Sequence, residues 1–210
     1  MSYDTTQSIL QRLRNVSVKK DISFQQILNL FFQEEFARRL SISTYHNHLI
    51  LKGGYFIYTL SQFESRPTID SDYLLKSYHN DKIFIEKLII SIINEKQIND
   101  FFRIEYLECR EISKANEYPG IRVKLLGYLG KTRTPFSIDI GVGDKVVPKP
   151  IERQLPVLLD DFLSPILLCY SVESVIAEKF DAILRFMEYT GRMKDFYDIY
   201  YLSKYEVINT

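Results

Sequence analysis

Two acidic residues one position apart follow a glycine pair in the stretch LKGGYFIYTLSQFESRPTIDSDYLL, which runs from Leu51 to Leu75. Glycine tolerates positive φ angles and has no side chain, so a turn at Gly53 and Gly54 lets backbone N–H groups approach an anion closely. A helix that follows such a turn adds partial positive charge at its N-terminus. The pattern therefore favours a binding site for a triphosphate.

The acidic pair itself predicts a metal site. Asp70 and Asp72 at i and i+2 on a strand point to the same face, with Ser71 pointing away, because side chains alternate along a strand. Two like charges so close repel each other unless a cation neutralises them. A hard divalent ion that prefers oxygen ligands, most simply Mg²⁺, meets that need.

Together, the glycine pair and the D-x-D pattern resemble the nucleotidyltransferase fold of the DNA polymerase β type. In that fold a third carboxylate comes from a neighbouring strand, and Asp139, in the strand-like run 136–140, is the candidate. Ser137 and Asp139 share one face of that strand. The resemblance implies that Asp70, Asp72 and Asp139 hold two Mg²⁺ ions. One ion would activate the attacking hydroxyl, and the other would bind the triphosphate and stabilise the leaving pyrophosphate.

Further motifs in the C-terminal half extend the resemblance. The segment ESVIAEKFDAILR, residues 173–185, is followed by GRMKDFYDI, residues 191–199. With L-K-G-G and R-P-T-I-D-S-D, these motifs resemble the AbiEii/AbiGii-type toxin family of nucleotidyltransferases, known from abortive infection and type IV toxin–antitoxin systems. The resemblance runs in order from about Ser23 to Leu202.

Family membership would imply a role for each matched residue. Gly53 and Gly54 would lie against the nucleotide phosphates, and Asp139 would be the general base as well as a metal ligand. Lys179, in the A-E-K triplet, would contact the triphosphate as a point charge. Asp198, in the R-x-x-D-x-x-D pattern, would complete the site near the nucleotide or the acceptor.

Arg66, in the R-P-T triplet, would neutralise phosphate or brace Asp70. Each assignment has a purely structural alternative. Asp139 can cap the turn that follows its strand, and Lys179 can lie along apolar surface with its ammonium in water. Asp198 can occupy an ordinary helix face, although its aromatic neighbours predict partial burial, and a partly buried carboxylate needs a partner.

For function, the resemblance implies Mg²⁺-dependent transfer of a nucleoside monophosphate from an NTP to an acceptor hydroxyl, with release of pyrophosphate. The acceptor could be the 3′ end of tRNA or another RNA. The protein would be the toxin of a toxin–antitoxin or phage-defence pair, with a cognate antitoxin encoded nearby. Two alternatives stay open: a non-catalytic module that binds nucleotide or a partner on the same fold, and a kinase-like phosphotransferase.

Composition sets outer limits on these functions. The chain has 27 lysine and arginine residues and 27 aspartate and glutamate residues, so its formal net charge is zero. No overall positive charge indicates a nucleic-acid or membrane partner, and any site for a polyanion must be local. Basic residues of the loops from Lys131 to Arg153 offer modest local support. Cys109 and Cys169 form no C-x-x-C pair and are expected to be reduced thiols, one or both in the core. We expect a cytoplasmic protein without a membrane span.

Hydrophobic periodicity predicts an α+β fold, a small mixed sheet flanked by helices at both ends. Residues 1–45 form a helical segment, 46–165 the sheet core, and 166–210 a helical segment that contributes to the site. The polar residues before Asp21 predict no more than a short helix, and Ser23 with Gln26 predicts a capping box. The remaining predicted helices are 55–62, 81–95, 174–187 and 193–202; the predicted strands are 48–51, 72–75, 102–111, 120–128 and 135–140, with a short one in 147–165.

Overall fold

A computed structural model describes residues 3–76, 81–95, 102–112, 120–143, 146–185 and 192–205. The helices are α1 (Tyr3–Lys20), α2 (Phe24–Ile42), α3 (Gly53–Leu60), α4 (Lys82–Ile93), α5 (Val172–Arg185) and α6 (Met193–Tyr205). The strands are β1 (Leu49–Lys52), β2 (Ser71–Leu75), β3 (Phe102–Ile112), β4 (Gly120–Leu129), β5 (Thr132–Val142), β6 (Ile151–Gln154) and β7 (Ile166–Cys169). Two helices begin the described chain, helices and strands alternate from α2 to β3, five strands follow one another from β3 to β7, and two helices end it.

The described strands form one mixed sheet in the order β3-β4-β5-β2-β1-β7-β6. Strands β3, β4 and β5 form an antiparallel meander, whereas β2 runs parallel to β5 and antiparallel to β1. Because β1 and β2 lie in the middle of the sheet, the glycine pair that follows β1 and the acidic pair at the start of β2 meet at one edge. The predicted α+β class with a mixed sheet is confirmed.

Helix α2 provides much of the core that supports this sheet. Ser23 caps it as predicted, because the Ser23 hydroxyl accepts a hydrogen bond from the backbone N–H of Gln26 at 3.3 Å. Its buried positions include charged residues, and Arg39 donates to Glu35 at 2.9 Å and to the carbonyl of Phe102 at 2.8 Å. These hydrogen bonds compensate buried charge and tie α2 to the start of β3.

Several elements differ from the sequence-based expectations. Helix α1 spans 18 residues rather than a short stretch, because Ile9, Leu10 and Leu13 are buried in the core. Strand β7 was not predicted as a strand, and it pairs with β1 in parallel through Leu51 and Cys169. Its position inside the sheet depends on a long-range parallel pairing, which leaves little local signal.

The predicted division at residues 45 and 165 stays a prediction; β7, just after the second boundary, is part of the core sheet. Both cysteines are free and buried, as expected, and burial raises the pKa of the Cys169 thiol to about 12. Within the described residues, no helix combines the length and apolar character needed to cross a bilayer.

Candidate active site

A cleft of about 540 Å³ opens where the ends of β1, β2 and β5 face helices α5 and α6. The strand side carries the glycine pair and three carboxylates, and the helix side carries most of the cations. The lining residues are Lys52, Gly53, Gly54, Arg66, Thr68, Asp70, Asp72, Asp139, Val175, Glu178, Lys179, Ala182, Arg192, Lys194 and Asp195. Seven of the eight residues predicted from sequence therefore line one cleft; Asp198 is the exception.

Gly53 is the first residue of α3 and has a positive φ of +67°. A Cβ atom built there would lie 2.2 Å from Asp72 Oδ2, which real side chains do not tolerate. Glycine is thus required both by the backbone conformation and by the close approach of the Asp72 carboxylate. Lys52, the N-cap residue of α3, makes no side-chain hydrogen bond to the first turn, so the helix N-terminus faces the cleft without a side-chain cap.

The parallel pairing of β2 and β5 brings the carboxylates together. Asp72 lies directly opposite Asp139 in the β2–β5 register. Alternation of side chains along each strand does not by itself predict this pairing. Asp70 precedes β2, which begins at Ser71, rather than lying within a strand as expected. A hydrogen bond at 3.0 Å from the Ser137 hydroxyl to Asp70 Oδ1 holds that carboxylate beside β5.

Arg122 of β4 was not anticipated as a site residue. It lies opposite Asp139 in the β4–β5 pair and donates to both Asp139 oxygens at 2.8 Å, while its Nη2 reaches Asp70 Oδ2 at 3.3 Å. The hydrogen bond to Asp139 raises the pKa of Arg122 above its ordinary value, and burial opposes this only in part. Hairpin counting could have found this residue, because a tight turn between Leu129 and Thr132 pairs positions 122 and 139.

The acidic trio fits a divalent ion only in part. Among the residues that the structure describes, no group of three or more His, Cys, Asp or Glu side chains is arranged to hold a metal ion. Both Asp139 oxygens accept hydrogen bonds from Arg122. Asp70 and Asp72 line the cleft and supply hard carboxylate oxygens, a donor chemistry that suits Mg²⁺.

Asp198 lies behind the cleft wall, fully buried, in the described part of α6. Arg66 donates to its two oxygens at 2.8 and 2.6 Å, and Lys179 Nζ lies 2.7 Å from Oδ2. The buried Asp198 carboxylate therefore has two cationic partners. Arg66 contacts Asp198 and not Asp70, which sequence reasoning had offered as its partner. This arrangement joins the loop before β2 to both C-terminal helices.

Lys179 connects that buried network to the cleft surface. Its ammonium also lies 2.9 Å from Asp195 Oδ1, and Arg192 donates to Asp195 Oδ2 at 3.1 Å. Burial alone would raise the pKa of Asp195, but hydrogen bonds and charges from Lys179 and Arg192 outweigh it and hold the pKa below its usual range. Lys179 therefore sits in the cleft with a fixed orientation, as a phosphate-binding ammonium would need.

Lys52 is a second cation that sequence reasoning did not assign to the site. It forms an ion pair with Glu178 across the cleft and lies 5.6 Å from the ring centre of Tyr170. Burial acts to lower the pKa of Lys52, but the Glu178 charge and its hydrogen bond raise it above the ordinary value. The sequence signal that could have identified Lys52 as a site residue is its position directly before the glycine pair.

Of the basic loop residues proposed from sequence as local polyanion support, the four that the structure describes do not line the cleft: Lys131, Arg133, Lys149 and Arg153. The guanidinium of Arg133 packs over Tyr128, and that of Arg153 lies over Phe56. Lys145 lies outside the described residues. Among the residues that the structure describes, the cations that line the cleft are Lys52, Arg66, Lys179, Arg192 and Lys194, and Arg122 contacts two of the carboxylates of its wall.

Comparisons with known proteins bear on the family and the fold of this chain. Residues 35–210 match the family described as nucleotidyl transferase AbiEii toxin, type IV toxin–antitoxin system. The structure of JHP933 from Helicobacter pylori is similar, with a TM-score of 0.51 and 15% identity, covering 88% of this chain and 68% of that one.

A structure of a candidate nucleotidyltransferase from H. pylori is similar too, with a TM-score of 0.52 and 15% identity over 88% of this chain and 71% of the other. At this identity, these likenesses show the fold alone. Among curated protein sequences, none matches this chain. The family match covers most of the chain, including every residue of the cleft, and the chain therefore belongs to the AbiEii family of nucleotidyltransferase toxins of type IV toxin–antitoxin systems.

Proposed function

We propose that this nucleotidyltransferase transfers a nucleoside monophosphate from an NTP to an acceptor hydroxyl of RNA, for which the 3′ end of tRNA is the candidate. The observation that carries the proposal is the cleft itself. It combines an N-terminally uncapped helix at the glycine pair, carboxylates on β2 and β5, and a fixed ammonium at Lys179. Triphosphate, divalent ion and attacking hydroxyl each find a matching chemical partner there.

The triphosphate would lie along the N-terminus of α3, where backbone N–H groups at Gly53 and Gly54 and the helix dipole favour negative charge. Lys179 would neutralise the phosphate charge that grows as pyrophosphate leaves. Asp70 and Asp72 would hold Mg²⁺, which supplies charge neutralisation on the phosphates and lowers the pKa of the attacking hydroxyl.

The reaction balances as an in-line displacement at the α-phosphorus. The acceptor oxygen forms the new bond to phosphorus while the bond to the oxygen bridging the α and β phosphates breaks, and pyrophosphate departs with that oxygen. The hydroxyl proton passes to a carboxylate of the strand wall, for which Asp139 is the predicted base. Arg66, Asp195 and Asp198 act indirectly, by positioning Lys179 and the loop before β2.

Labelling with two isotopically distinct substrates tests this assignment. Incubation with Mg²⁺, total RNA and NTP labelled at the α-phosphate should label a discrete RNA, whereas label at the γ-phosphate should not transfer. Asp72→Ala should abolish labelling. Asp181→Ala, which removes an exposed carboxylate paired with Arg185 on α5, should leave labelling unchanged.

Each of the other possible results would support a different function or refute the proposed site. Transfer of the γ-label would identify a kinase-like phosphotransferase, because the nucleoside diphosphate then leaves. Nucleotide binding with no transfer to any RNA would favour a non-catalytic module. Labelling that survives Asp72→Ala would refute the role of the carboxylates.

The family consists of toxins of type IV toxin–antitoxin systems, which suggests a cellular role for this protein. We propose that the protein acts in the cytoplasm, where NTPs and RNA are found, in a phage-defence pair with a cognate antitoxin encoded nearby. Induced expression should arrest growth, expression of Asp72→Ala should not, and co-expression of the neighbouring gene should restore growth. Equal arrest by wild type and variant would separate toxicity from nucleotidyl transfer and refute this proposal.

A further inference from the structure

Arg122 places a permanent positive charge inside the carboxylate cluster of the cleft. Its guanidinium donates to both oxygens of Asp139 at 2.8 Å and extends to Asp70 Oδ2 at 3.3 Å. Such a two-pronged contact matches the planar fork of arginine to a carboxylate and is among the strongest polar contacts in proteins. The guanidinium thus bridges two of the three predicted metal ligands.

The sheet builds this contact rather than leaving it to a mobile surface side chain. Arg122 and Asp139 are direct partners in the β4–β5 register, and Asp139 is in turn the partner of Asp72 in the β5–β2 register. Three adjacent strands therefore align the guanidinium with the carboxylates in one row. The Arg122 side chain is 40% exposed, so its contribution is charge at the cleft rather than core packing.

A cation at this place changes what the cluster can bind. Three carboxylates alone would repel one another and attract two divalent ions. With Arg122 paired to Asp139, one of the negative charges is already neutralised. A second divalent ion at Asp139 would have to displace the guanidinium or remain beside a like charge. Asp70 keeps a lone pair beyond its contacts with Ser137 and Arg122, since each carboxylate oxygen has two.

We propose that Arg122 takes the place of the second divalent ion, so that the cleft binds a single divalent ion through Asp70 and Asp72. The inference rests on the proposed NTP-dependent function and revises the two-ion expectation drawn from the family resemblance. Arg122 is a positioning residue in this scheme: it holds the Asp139 carboxylate and supplies charge, but it takes no part in bond making or bond breaking.

Counting bound Mn²⁺, used as a spectroscopic substitute for Mg²⁺, tests the inference without turnover. Wild-type protein is titrated with Mn²⁺ in the presence of an NTP analogue whose α,β-bridging oxygen is replaced by a methylene group, and free Mn²⁺ is measured by electron paramagnetic resonance. The analogue's own Mn²⁺ binding is measured separately and subtracted. We expect wild type to saturate at one ion per chain and Arg122→Gln, which frees Asp139, to saturate at two.

Two further variants keep the test decisive. Lys124→Gln, on the same face of β4 and paired with Glu108 outside the cleft, should saturate at one ion like wild type. Arg122→Lys keeps the charge without the fork and should also saturate at one ion, which provides a folded comparison if Arg122→Gln is unstable.

The outcomes separate this inference from the proposed function. Two ions in wild type, two in Arg122→Lys or one in Arg122→Gln would overturn the role of Arg122 and leave NTP-dependent transfer intact. No Mn²⁺ bound by wild type with the analogue present would overturn the proposed function, and the inference with it.

Discussion

Replacing Asp198 with asparagine tests the buried network that joins the two halves of the cleft. The substitution preserves the shape of the side chain and removes its charge. The positive charges of Arg66 and Lys179 would then lose the buried negative charge that they share, because Asp198 contacts both and is itself fully buried. Leaving a buried charge without its partner is one of the few mechanisms by which a single substitution destabilises a protein strongly.

The magnitude follows from the exposure of the partners. Breaking a fully buried ion pair costs about 3–5 kcal/mol. Here the Arg66 side chain is 25% exposed and can regain some hydration, and Lys179 keeps Asp195 as a partner. We therefore expect the lower end, a loss of about 3 kcal/mol in the free energy of unfolding. For a chain of this size, that corresponds to a fall in Tm of roughly 6–12 °C.

Urea denaturation of wild type and Asp198→Asn, with thermal unfolding as a second measurement, provides the test. The matched control is Asp181→Asn, which removes a carboxylate from an exposed i, i+4 pair on α5 and should cost no more than about 0.5 kcal/mol. If the two variants lose similar free energy, the Asp198 network does not hold the helices to the cleft, and the reasoning from burial is refuted.

Two other substitutions probe the strand side and the helix side of the cleft. Gly53→Ala should abolish nucleotide transfer and lower the free energy of unfolding by about 1–3 kcal/mol, because Gly53 combines a positive φ with a close approach of Asp72. The control is Gly141→Ala, whose Cβ would make only ordinary contacts. Full activity of Gly53→Ala in the labelling assay would contradict the geometry. The lowered pKa of Asp195 means that its pairing stabilises the fold above the unfolded-state pKa of about 3.9 and that this contribution is lost as the pH falls through the folded-state pKa. In urea titrations, the stability difference between wild type and Asp195→Asn should therefore shrink between about pH 5 and pH 3; a constant difference would show that the Asp195–Lys179 pair does not set the pKa.

Much of the cleft could be predicted from sequence because its signals are local. The order strand, glycine pair, helix, acidic pair is written within 25 residues, from Leu51 to Leu75. The alternation of Ser137 and Asp139 with apolar neighbours predicts which face of β5 carries the carboxylate. The A-E-K and R-x-x-D-x-x-D motifs pointed to the helices that form the opposite wall.

Other features depend on contacts between residues that are distant in sequence. Arg122 was overlooked because its pairing with Asp139 depends on hairpin register, which periodicity alone does not specify. Asp198 was expected near the nucleotide or the acceptor, with a partner for its carboxylate, but only tertiary packing shows that it is buried between Arg66 and Lys179. Strand β7 has an apolar sequence that suits a strand or a buried helix equally, and its pairing with β1 on one side and β6 on the other decides.

The sequence by itself determined the type of chemistry, because the side chains that bind phosphate and divalent ions are few and their local spacing follows from helix and strand geometry. The tertiary structure alone decided how those charges are balanced. Charge compensation depends on distances of a few ångströms between separate strands and helices, and it is there that Arg122 joins Asp139 while Asp198 gathers Arg66 and Lys179.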